Sequence, residues 1–311
     1  MKILRFYRYY KMFTSKSSFH VNQGIGKNFS IDEIKGYYND LTGKVSEKTE
    51  LDINGIPINT THNLKKIYFY ISIAQYAIGN YDMFLSTKNE TYLLNFIKVS
   101  EWLLEHQDEK GGFDISNVLF SDVGNKYSSM AQSEISSVFI RAYKETKNKA
   151  FLDAAEKSIN LMITPIEQGG TMRVEGDKVF FEEAVRSKPY VILNGWIFSI
   201  YGLFDIIKVI ENNKYKEILN LTLNTLKDEL KSYDIHYWTY YAKDGTVASP
   251  AYHGLHVAQL ESLYILTGEE IFKTYAEKWN SYRCNSKYVK KAVLKKSIQK
   301  LIKPESVVLL K

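Results

Sequence analysis

Tyrosines and histidines concentrate in one stretch of the chain. Five tyrosines lie between positions 233 and 252, and the last of them, Tyr252, is followed by His253 and His256. Phenols and imidazoles both pass protons and form hydrogen bonds with sugars. A glycine and a proline nearby mark turns, and chemistry concentrates on loops that a rigid scaffold holds. We therefore expect this stretch to contribute to an active or binding site.

The overall composition is that of a globular chain with a mild excess of positive charge. The 311 residues are 45% hydrophobic, enough for one large domain or two small ones. The net charge of +6 admits nucleic acid, anionic lipid or acidic polysaccharide as a partner, and much of the excess lies in residues 287–311. The single cysteine, Cys284, excludes an intrachain disulfide and a cysteine metal cluster and favours a reducing compartment.

The amino-terminal residues do not match a signal peptide. Residues 1–11 are interrupted by four basic side chains and lack both a continuous apolar stretch and a small-residue cleavage site. No apolar run approaches the roughly 18 residues that a membrane span needs. We therefore expect a cytoplasmic protein, with peripheral contact at the inner membrane face as an additional hypothesis.

Apolar residues recur at helical spacing over most of the chain from position 68 onward. The pattern predicts eight helices, at residues 68–79, 92–105, 130–144, 151–162, 192–210, 215–230, 255–266 and 271–282. Gly79 is placed to end the first of them. Alternating apolar residues between positions 166 and 186 predict an inserted β-hairpin, and residues 1–60 read as irregular with two short strands.

Helices that arrive in pairs with short connections predict stacked helical hairpins. Such hairpins arranged about an axis form an (α/α) toroid or barrel, a mainly α fold whose loops line a central cleft at one end. We therefore divide the chain into an irregular extension (1–54), a toroid (55–285) and a basic tail (286–311). Within the tail, residues 289–302 predict a basic amphipathic helix, either solvated or in contact with an anionic membrane surface or a biosynthetic partner.

Four blocks of sequence stand out along the predicted toroid. They are Gly55-Ile-Pro-Ile-Asn-Thr60 with Tyr68-Phe-Tyr70 and Ile73-Ala-Gln-Tyr76; Ser128-Ser-Met-Ala-Gln-Ser133 with Arg141-Ala-Tyr143; Phe180-Phe-Glu-Glu183 with Val191-Ile-Leu-Asn-Gly195 and Gly202-Leu-Phe-Asp205; and Trp238-Thr-Tyr-Tyr241 with Ala251-Tyr-His253 and His256-Val-Ala-Gln-Leu260. In order and rough spacing, over residues 55–283, they resemble the C-terminal catalytic region of the D-glucuronyl C5-epimerase family. These enzymes turn glucuronate into iduronate in heparan-type polymers such as heparosan.

The resemblance implies an isomerase that acts on an acidic polysaccharide during its biosynthesis. Removing the C5 proton beside a charged carboxylate requires that the carboxylate be neutralised and that a proton donor and acceptor face opposite sides of the ring. By the resemblance, Glu183 and Tyr252 form the acid–base pair, and either Tyr240 or Tyr241 is the third participant. Nearby cations or hydrogen bonds can lower a phenol pKa from its reference value of about 10. Because the substrate carboxylate can hold the charge, we expect no redox cofactor, and we expect no nucleic-acid partner. We assign no metal ligands, although carboxylates and carbonyls could hold calcium without a recognisable spacing.

Candidates for substrate binding lie in or beside the same blocks. They are Gln132, Arg173, Arg186, Asn194, His253 and His256, with Lys188 as a further cation. An arginine would grip a uronate carboxylate in bidentate fashion, although each alone also fits a surface charge. Asn194 equally fits the start of a helix. A His-x-x-His spacing with no third ligand is a weak zinc signal.

Two departures from the family pattern keep other functions open. Ala184 follows the paired glutamates, where the family carries a tyrosine, and Ala242-Lys243-Asp244 stands where the family has an Arg-His pair. The alternatives are a uronate lyase, which shares the proton abstraction but expels the O4 substituent, and a hydrolase that uses Glu182 or Glu183 with an aspartate. From a different class, the chain could be an inactive glycan-binding module of a polysaccharide assembly system. A homodimer is compatible with each.

Overall fold

The computed structural model describes residues 21, 23–46, 48–61, 63–119 and 121–302. Within these residues the chain is mainly helical. Its α-helices are α1 (Tyr70–Thr87), α2 (Glu90–Glu105), α3 (Ser129–Thr146), α4 (Lys149–Met162), α5 (Leu193–Ile206), α6 (Asn213–Tyr233), α7 (Pro250–Thr267), α8 (Glu270–Cys284) and α9 (Ser286–Ile302). Seven of the eight predicted helices correspond to α2 to α8, and most of their predicted ends lie within two or three residues of the observed ends. The predicted basic helix lies within α9.

The first eight helices form four sequential hairpins. Each odd-numbered helix packs against the even-numbered helix that follows it, and α1, α3, α5 and α7 also contact one another in that order. Burial separates the two sets, because α3 and α5 are buried on nearly every side whereas α2 and α8 bury one narrow face. The odd-numbered helices therefore form an inner row and the even-numbered helices an outer row.

Local sequence signals set the helix boundaries. Side-chain oxygens accept a hydrogen bond from a backbone amide two or three residues later at the start of five helices, at Asn89, Ser128, Asn148, Asn212 and Ser249. Three inner helices end at a residue in the left-handed conformation, at Lys88, Lys147 and Gly268. A stop signal directly precedes a start signal at Lys88–Asn89 and at Lys147–Asn148, so these two hairpin connections are short.

Gly79 lies inside α1 and does not end it, so this prediction was wrong. A Cβ on Gly79 would lie 2.5 Å from the carbonyl oxygen of Leu41. The glycine therefore permits the close approach of a single-turn 3₁₀ helix, Thr42–Lys44, to the inner row. The helix continues to Thr87 because no stop signal follows until Lys88.

The segment 24–41 is irregular as predicted, and it packs against the C-terminal halves of the inner helices. Arg141 of α3 pairs with Asp205 of α5 at 2.6 Å, and both side chains are 1% exposed. The same guanidinium donates to the carbonyl oxygen of Gly36 at 3.0 Å, and the Tyr38 hydroxyl donates to Asp205 at 2.7 Å. The Tyr37 amide donates to Asp82 of α1 at 3.0 Å. This buried polar network fixes the segment to three inner helices at once.

Two small antiparallel sheets complete the described fold. Strand β1 (Asn59–Thr60) pairs with β2 (Lys66–Ile67), and β3 (Met172–Glu175) pairs with β4 (Lys178–Phe181). The second pair lies within the predicted hairpin at 166–186 and leads into the paired glutamates. None of the helices in the described part of the chain is long and apolar enough to cross a membrane.

Candidate functional site

The candidate site lies along the N-terminal halves of the inner helices. The loop after β4 lies over the first turn of α5, and the segment 234–249 leads into α7. Helix α7 begins at Pro250, five residues before the predicted start, with Ser249 as its cap. Tyr252 and His253 therefore lie in its first turn and are held by a helix, which corrects the prediction that they lie on a loop.

Glu183 is buried against the first turn of α5. A Cβ on Gly195 would meet the Glu183 carboxylate, its carboxyl carbon at 3.2 Å and its Cβ at 2.9 Å. Burial raises the pKa of Glu183 to about 7. Its Oε2 atom has no hydrogen-bond partner among the described residues. A buried carboxyl group that titrates near neutral pH can both accept and return a proton.

Glu134 of α3 is a second buried carboxyl group in electrostatic contact with Glu183. Gln75 of α1 donates to its Oε1 at 3.0 Å, and its Oε2 has no partner within the described ranges. Burial raises the pKa of Glu134 to about 8, and the charge of Glu183 contributes to the increase. Lys44 opposes it, and burial lowers the pKa of the Lys44 ammonium to about 8. The site therefore contains two carboxyl groups and a lysine that share charge near neutral pH.

Helices α5 and α7 contribute further unpaired polar atoms. The backbone oxygen of Asn194 accepts from Gln259 at 3.0 Å. Within the described part of the chain, Asn194 Oδ1, Gln259 Oε1 and His256 Nε2 are buried without hydrogen-bond partners. The His256 Nδ1 atom lies 3.1 Å from the Thr239 hydroxyl, and burial lowers the pKa of His256 well below its usual value, so the ring is neutral. Groups of this kind are available to bind a polar ligand.

Tyr241, and not Tyr240, lies beside Tyr252. The centres of the Tyr241 and Tyr252 rings are 4.8 Å apart. The Leu193 amide donates to the Tyr241 carbonyl at 3.0 Å, which joins this tyrosine to the start of α5. The ring of Tyr240 lies beneath Lys295 of α9. The Tyr241 backbone and Glu183 therefore both adjoin the first turn of α5, through Leu193 and Gly195 respectively, and the Tyr252 ring lies against the Tyr241 ring.

Comparison with known proteins identifies the family of the chain. The family model described as D-glucuronyl C5-epimerase C-terminus matches residues 107–281, more than half of the chain. The chain belongs to this family. The match contains Glu134, Glu183, Asn194, Tyr241 and Tyr252, and it confirms the resemblance drawn from the four sequence blocks.

Two curated relatives and one solved structure extend the comparison. The chain is 25% identical over 224 residues to a D-glucuronyl C5-epimerase of Caenorhabditis elegans, covering 64% of this chain and 36% of that protein. It is 30% identical over 142 residues to an uncharacterized protein of Methanocaldococcus jannaschii, covering 44% and 46%. The chain thus spans less than half the length of either relative. A D-mannose isomerase structure aligns with a TM-score of 0.50 at 13% identity, covering 77% of this chain and 67% of that one. This likeness confirms the (α/α) toroid fold.

Three predicted site residues have side chains that bond to neighbouring residues of the protein. Both amide atoms of Gln132 bond to the backbone, with Oε1 accepting from Phe113 at 3.2 Å and Nε2 donating to Gly111 at 2.8 Å. Arg173 pairs with Glu182 at 2.8 Å and donates to the Arg186 carbonyl at 2.6 Å. These bonds give Gln132 and Arg173 structural roles, and substrate binding by either residue stays a prediction.

His253 is the third such residue. Its Nδ1 atom lies 2.8 Å from the Thr239 hydroxyl and its Nε2 atom 2.9 Å from the Trp279 carbonyl. The ring stacks on Trp238 at 3.7 Å, and burial lowers the pKa of His253 to about 3. Both nitrogens of His253 therefore bond within the fold, whereas His256 Nε2 has no hydrogen-bond partner among the described residues.

The structure places the three remaining candidates for substrate binding, Arg186, Asn194 and Lys188, in different surroundings. The Arg186 guanidinium lies 3.6 Å from the centre of the Tyr190 ring, so it stacks beside the paired glutamates and stays a substrate-binding prediction. Asn194 is the second residue of α5, and its side chain does not cap the helix, which leaves its amide for the site. No contact that we describe draws Lys188 into the site.

Sequence reasoning did not select Glu134, Gln75 or Lys44 as site residues. Glu134 directly follows the quoted residues Ser128–Ser133, and its signal was an ionisable residue within a run of small and apolar side chains, which is rare inside a protein without a role. Gln75 has the same type of signal in α1. Lys44 carried no signal, because only the packing of the 3₁₀ turn against α1 brings it near Glu134.

Proposed function

We propose that this protein is a uronate C5-epimerase that converts D-glucuronate to L-iduronate in a glucuronate-containing polymer. The single observation that carries the proposal is the buried Glu183 carboxyl group against the first turn of α5, within the segment that the family model matches and that also contains Tyr252. A carboxyl group and a phenol from distant parts of the chain are the donor and acceptor that the reaction needs.

In the proposed reaction, the Glu183 carboxylate removes the C5 proton of a glucuronate residue. The electron pair of the broken C–H bond moves into the adjacent uronate carboxylate, which stores the charge without a redox cofactor. The Tyr252 phenol then delivers its proton to the opposite face of C5, and solvent restores the protonation of both groups. The pKa of Glu183 near 7 suits a group that is ionised in half of the molecules at neutral pH.

Tyr241 and His256 complete the proposed site. The Tyr241 ring packs against Tyr252 and orients its hydroxyl towards the sugar. The neutral His256 ring and the Asn194 amide offer hydrogen bonds to sugar hydroxyl groups, because both carry an unpaired buried atom among the described residues. In this proposal Ala184 replaces a family tyrosine without removing either proton carrier, since Glu183 and Tyr252 are both retained.

The experiment is solvent exchange on glucuronate polymers such as heparosan in heavy water. An epimerase incorporates deuterium at C5 and creates iduronate without new ultraviolet absorbance. A uronate lyase, the alternative that begins with the same proton transfer, creates a 4,5-double bond that absorbs. An inactive glycan-binding module binds the polymer and exchanges no deuterium at any enzyme concentration. Either of the last two outcomes refutes the proposal.

Matched variants locate the chemistry. Glu183→Gln and Tyr252→Phe each remove one proton carrier, and loss of general acid–base catalysis typically lowers the rate by roughly 100- to 10,000-fold. Glu175→Gln on the exposed end of β3 and Tyr264→Phe, a tyrosine further along α7, are the controls. The controls should keep the rate of deuterium incorporation. Loss of exchange in the controls as well would indicate general damage to the fold.

We further propose that α9 makes peripheral contact with an anionic membrane surface. Its outward side exposes Leu294, Ile298 and Leu301 at helical spacing among lysines, a pattern typical of helices that lie at a membrane interface. Cosedimentation with phosphatidylserine vesicles should fall on Ile298→Glu and at high salt. Equal sedimentation with neutral vesicles, or no effect of Ile298→Glu, would contradict this contact.

A further inference from the structure

The Thr239 hydroxyl lies between two histidine rings of α7 and fixes where their protons are. It is 2.8 Å from His253 Nδ1 and 3.1 Å from His256 Nδ1, and the His253 Nε2 atom lies 2.9 Å from the Trp279 carbonyl oxygen. A carbonyl oxygen only accepts, so the neutral His253 ring carries its proton on Nε2, and its Nδ1 accepts from the threonine. The threonine has a single hydroxyl proton, so its oxygen accepts the next hydrogen bond from His256 Nδ1. The neutral His256 ring therefore has no proton on Nε2, and this atom is a hydrogen-bond acceptor.

Gln259, three residues after His256 on α7, presents a second acceptor. Its Nε2 donates to the backbone oxygen of Asn194 at 3.0 Å, and the reverse orientation of the amide would place two acceptors together. Both side chains are fully buried, and within the described part of the chain neither His256 Nε2 nor Gln259 Oε1 has a hydrogen-bond partner. Residues three apart share one face of a helix, with Cβ atoms roughly 5–6 Å apart. We call these two atoms the acceptor pair.

The unpaired atoms at the start of α5 are acceptors as well. Gln259 contacts Asn194, the second residue of that helix, and Asn194 Oδ1 is buried without a partner among the described residues. Glu183 lies against the next residue, Gly195, and its ionised carboxylate only accepts. A ligand that fits here must donate hydrogen bonds, since buried acceptors left without donors are unfavourable. A uronate carboxylate only accepts, whereas each sugar hydroxyl group has a proton to donate.

We propose that the acceptor pair binds two adjacent hydroxyl groups of the uronate ring, with His256 Nε2 accepting from one and Gln259 Oε1 accepting from the other. This role rests on the proposed function, and it adds Gln259 to the site and gives the sugar an orientation. In a 1,4-linked glucuronate residue the free hydroxyl groups are those on C2 and C3, on the edge of the ring opposite C5. With that edge against α7, the C5 carboxylate points away from the two acceptors, which would repel it.

Binding of three oligosaccharide probes tests this role. The first is an oligosaccharide of 1,4-linked glucuronate residues, and the other two are analogues whose glucuronate residues lack the 2-hydroxyl or the 3-hydroxyl group. Loss of one hydrogen bond to a buried acceptor should weaken binding of each analogue to the wild-type protein by roughly 5- to 100-fold. Gln259→Leu should weaken the parent probe by a similar factor and bind one analogue as well as the parent, and His256→Leu should do the same with the other analogue. Glu261→Gln, a polar change on α7 beside Arg283, is the control and should bind all three probes like the wild type.

Nitrogen NMR of the histidine rings checks the proton positions directly. In the free wild-type protein, His256 should be protonated at Nδ1 and His253 at Nε2. Addition of the parent oligosaccharide should shift the His256 Nε2 resonance, because this atom then accepts a hydrogen bond, and the analogue without the matching hydroxyl group should leave it near its free position. A His256 ring that is protonated at Nε2 in the free protein would overturn the proposed role.

Equal binding of the three probes by the wild type would also overturn it, because neither acceptor would then be bound to a hydroxyl group. So would variants that lose affinity yet keep the wild-type discrimination between probes, since the hydroxyl groups would then be bound elsewhere. Thermal unfolding shows whether each variant is folded, and if His256→Leu is not, the wild-type probe series and Gln259→Leu still decide. A protein that discriminates the probes through the acceptor pair but exchanges no deuterium would refute the proposed function and leave the hydroxyl site standing. Deuterium exchange at equal rates and with equal KM on the parent and both analogues would do the reverse.

Discussion

The contact between Gly195 and Glu183 gives a prediction that changes no ionisable group. In Gly195→Ala the new methyl group would lie 2.9 Å from the Glu183 Cβ and would also meet the carboxylate. Ordinary carbon contacts begin near 3.5 Å, so Glu183 must retreat by about 0.5–1 Å. A displacement of about 1 Å at a reacting group costs roughly 100-fold in rate. We therefore expect deuterium incorporation at C5 to fall by a factor between about 10 and 100.

Stability should change far less than activity. Overpacking at a buried site costs about 1–3 kcal/mol, and replacing glycine by alanine inside a helix returns about 0.5–1 kcal/mol. The net loss for Gly195→Ala is then no more than about 2.5 kcal/mol in the free energy of unfolding. Gly254→Ala is the matched control, because a Cβ there meets Arg283 at an ordinary 3.4 Å. It should keep full activity and gain slightly in stability.

A double-mutant cycle tests whether the effect passes through Glu183. If it does, Gly195→Ala should add almost nothing to the loss already caused by Glu183→Gln, since the two changes act on one group. Additive losses would mean that the methyl group disturbs the site by another route. Wild-type exchange by Gly195→Ala would refute the placement of the Glu183 carboxylate against α5.

Three further predictions follow from the buried charges. Because burial raises the pKa of Glu183 to about 7, the exchange rate should rise with pH through about 7, and Glu183→Gln should lose that limb. Arg141→Met leaves Asp205 buried without its cation and should lower the free energy of unfolding in urea by about 3–5 kcal/mol. The pKa of Glu134 is raised from 4.5 to about 8, so the folded state holds this proton more tightly than the unfolded state. Its contribution to stability is present below pH 4.5 and is lost as pH rises through 8; urea titrations from pH 5 to 9 should show a shallower decline for Glu134→Gln, and an unchanged slope would contradict the assignment.

Local signals were sufficient to predict most of the helical fold. Periodic apolar positions located α2 to α8, because an amphipathic face repeats every three or four residues whether or not the tertiary structure is known. Gly79 was misread for a tertiary reason, since the glycine accommodates Leu41 from a segment distant in sequence. The start of α7 was misplaced because Pro250 also fits the first turn of a helix, where its missing amide is not needed.

The site was harder to predict because residue type does not reveal which polar atoms form hydrogen bonds within the protein. Gln132 and His253 lie in blocks that resemble the family as strongly as Glu183 does, yet their hydrogen bonds are satisfied within the protein. Glu182 and Glu183 are adjacent, and only the first is paired with an arginine. Spacing along the chain cannot separate such neighbours, whereas the burial and partners of each atom do.

The charges of the site explain why segments outside the family match matter. Glu134 and Glu183 are both within the match, and two carboxylates would repel an anionic sugar. The structure places two lysines near this region, Lys44 from the amino-terminal side beside Glu134 and Lys296 from α9 beside Tyr241. Neither lies within residues 107–281. In the proposed function, the proton carriers Glu183 and Tyr252 thus come from the family core, and the two lysines come from segments on either side of it.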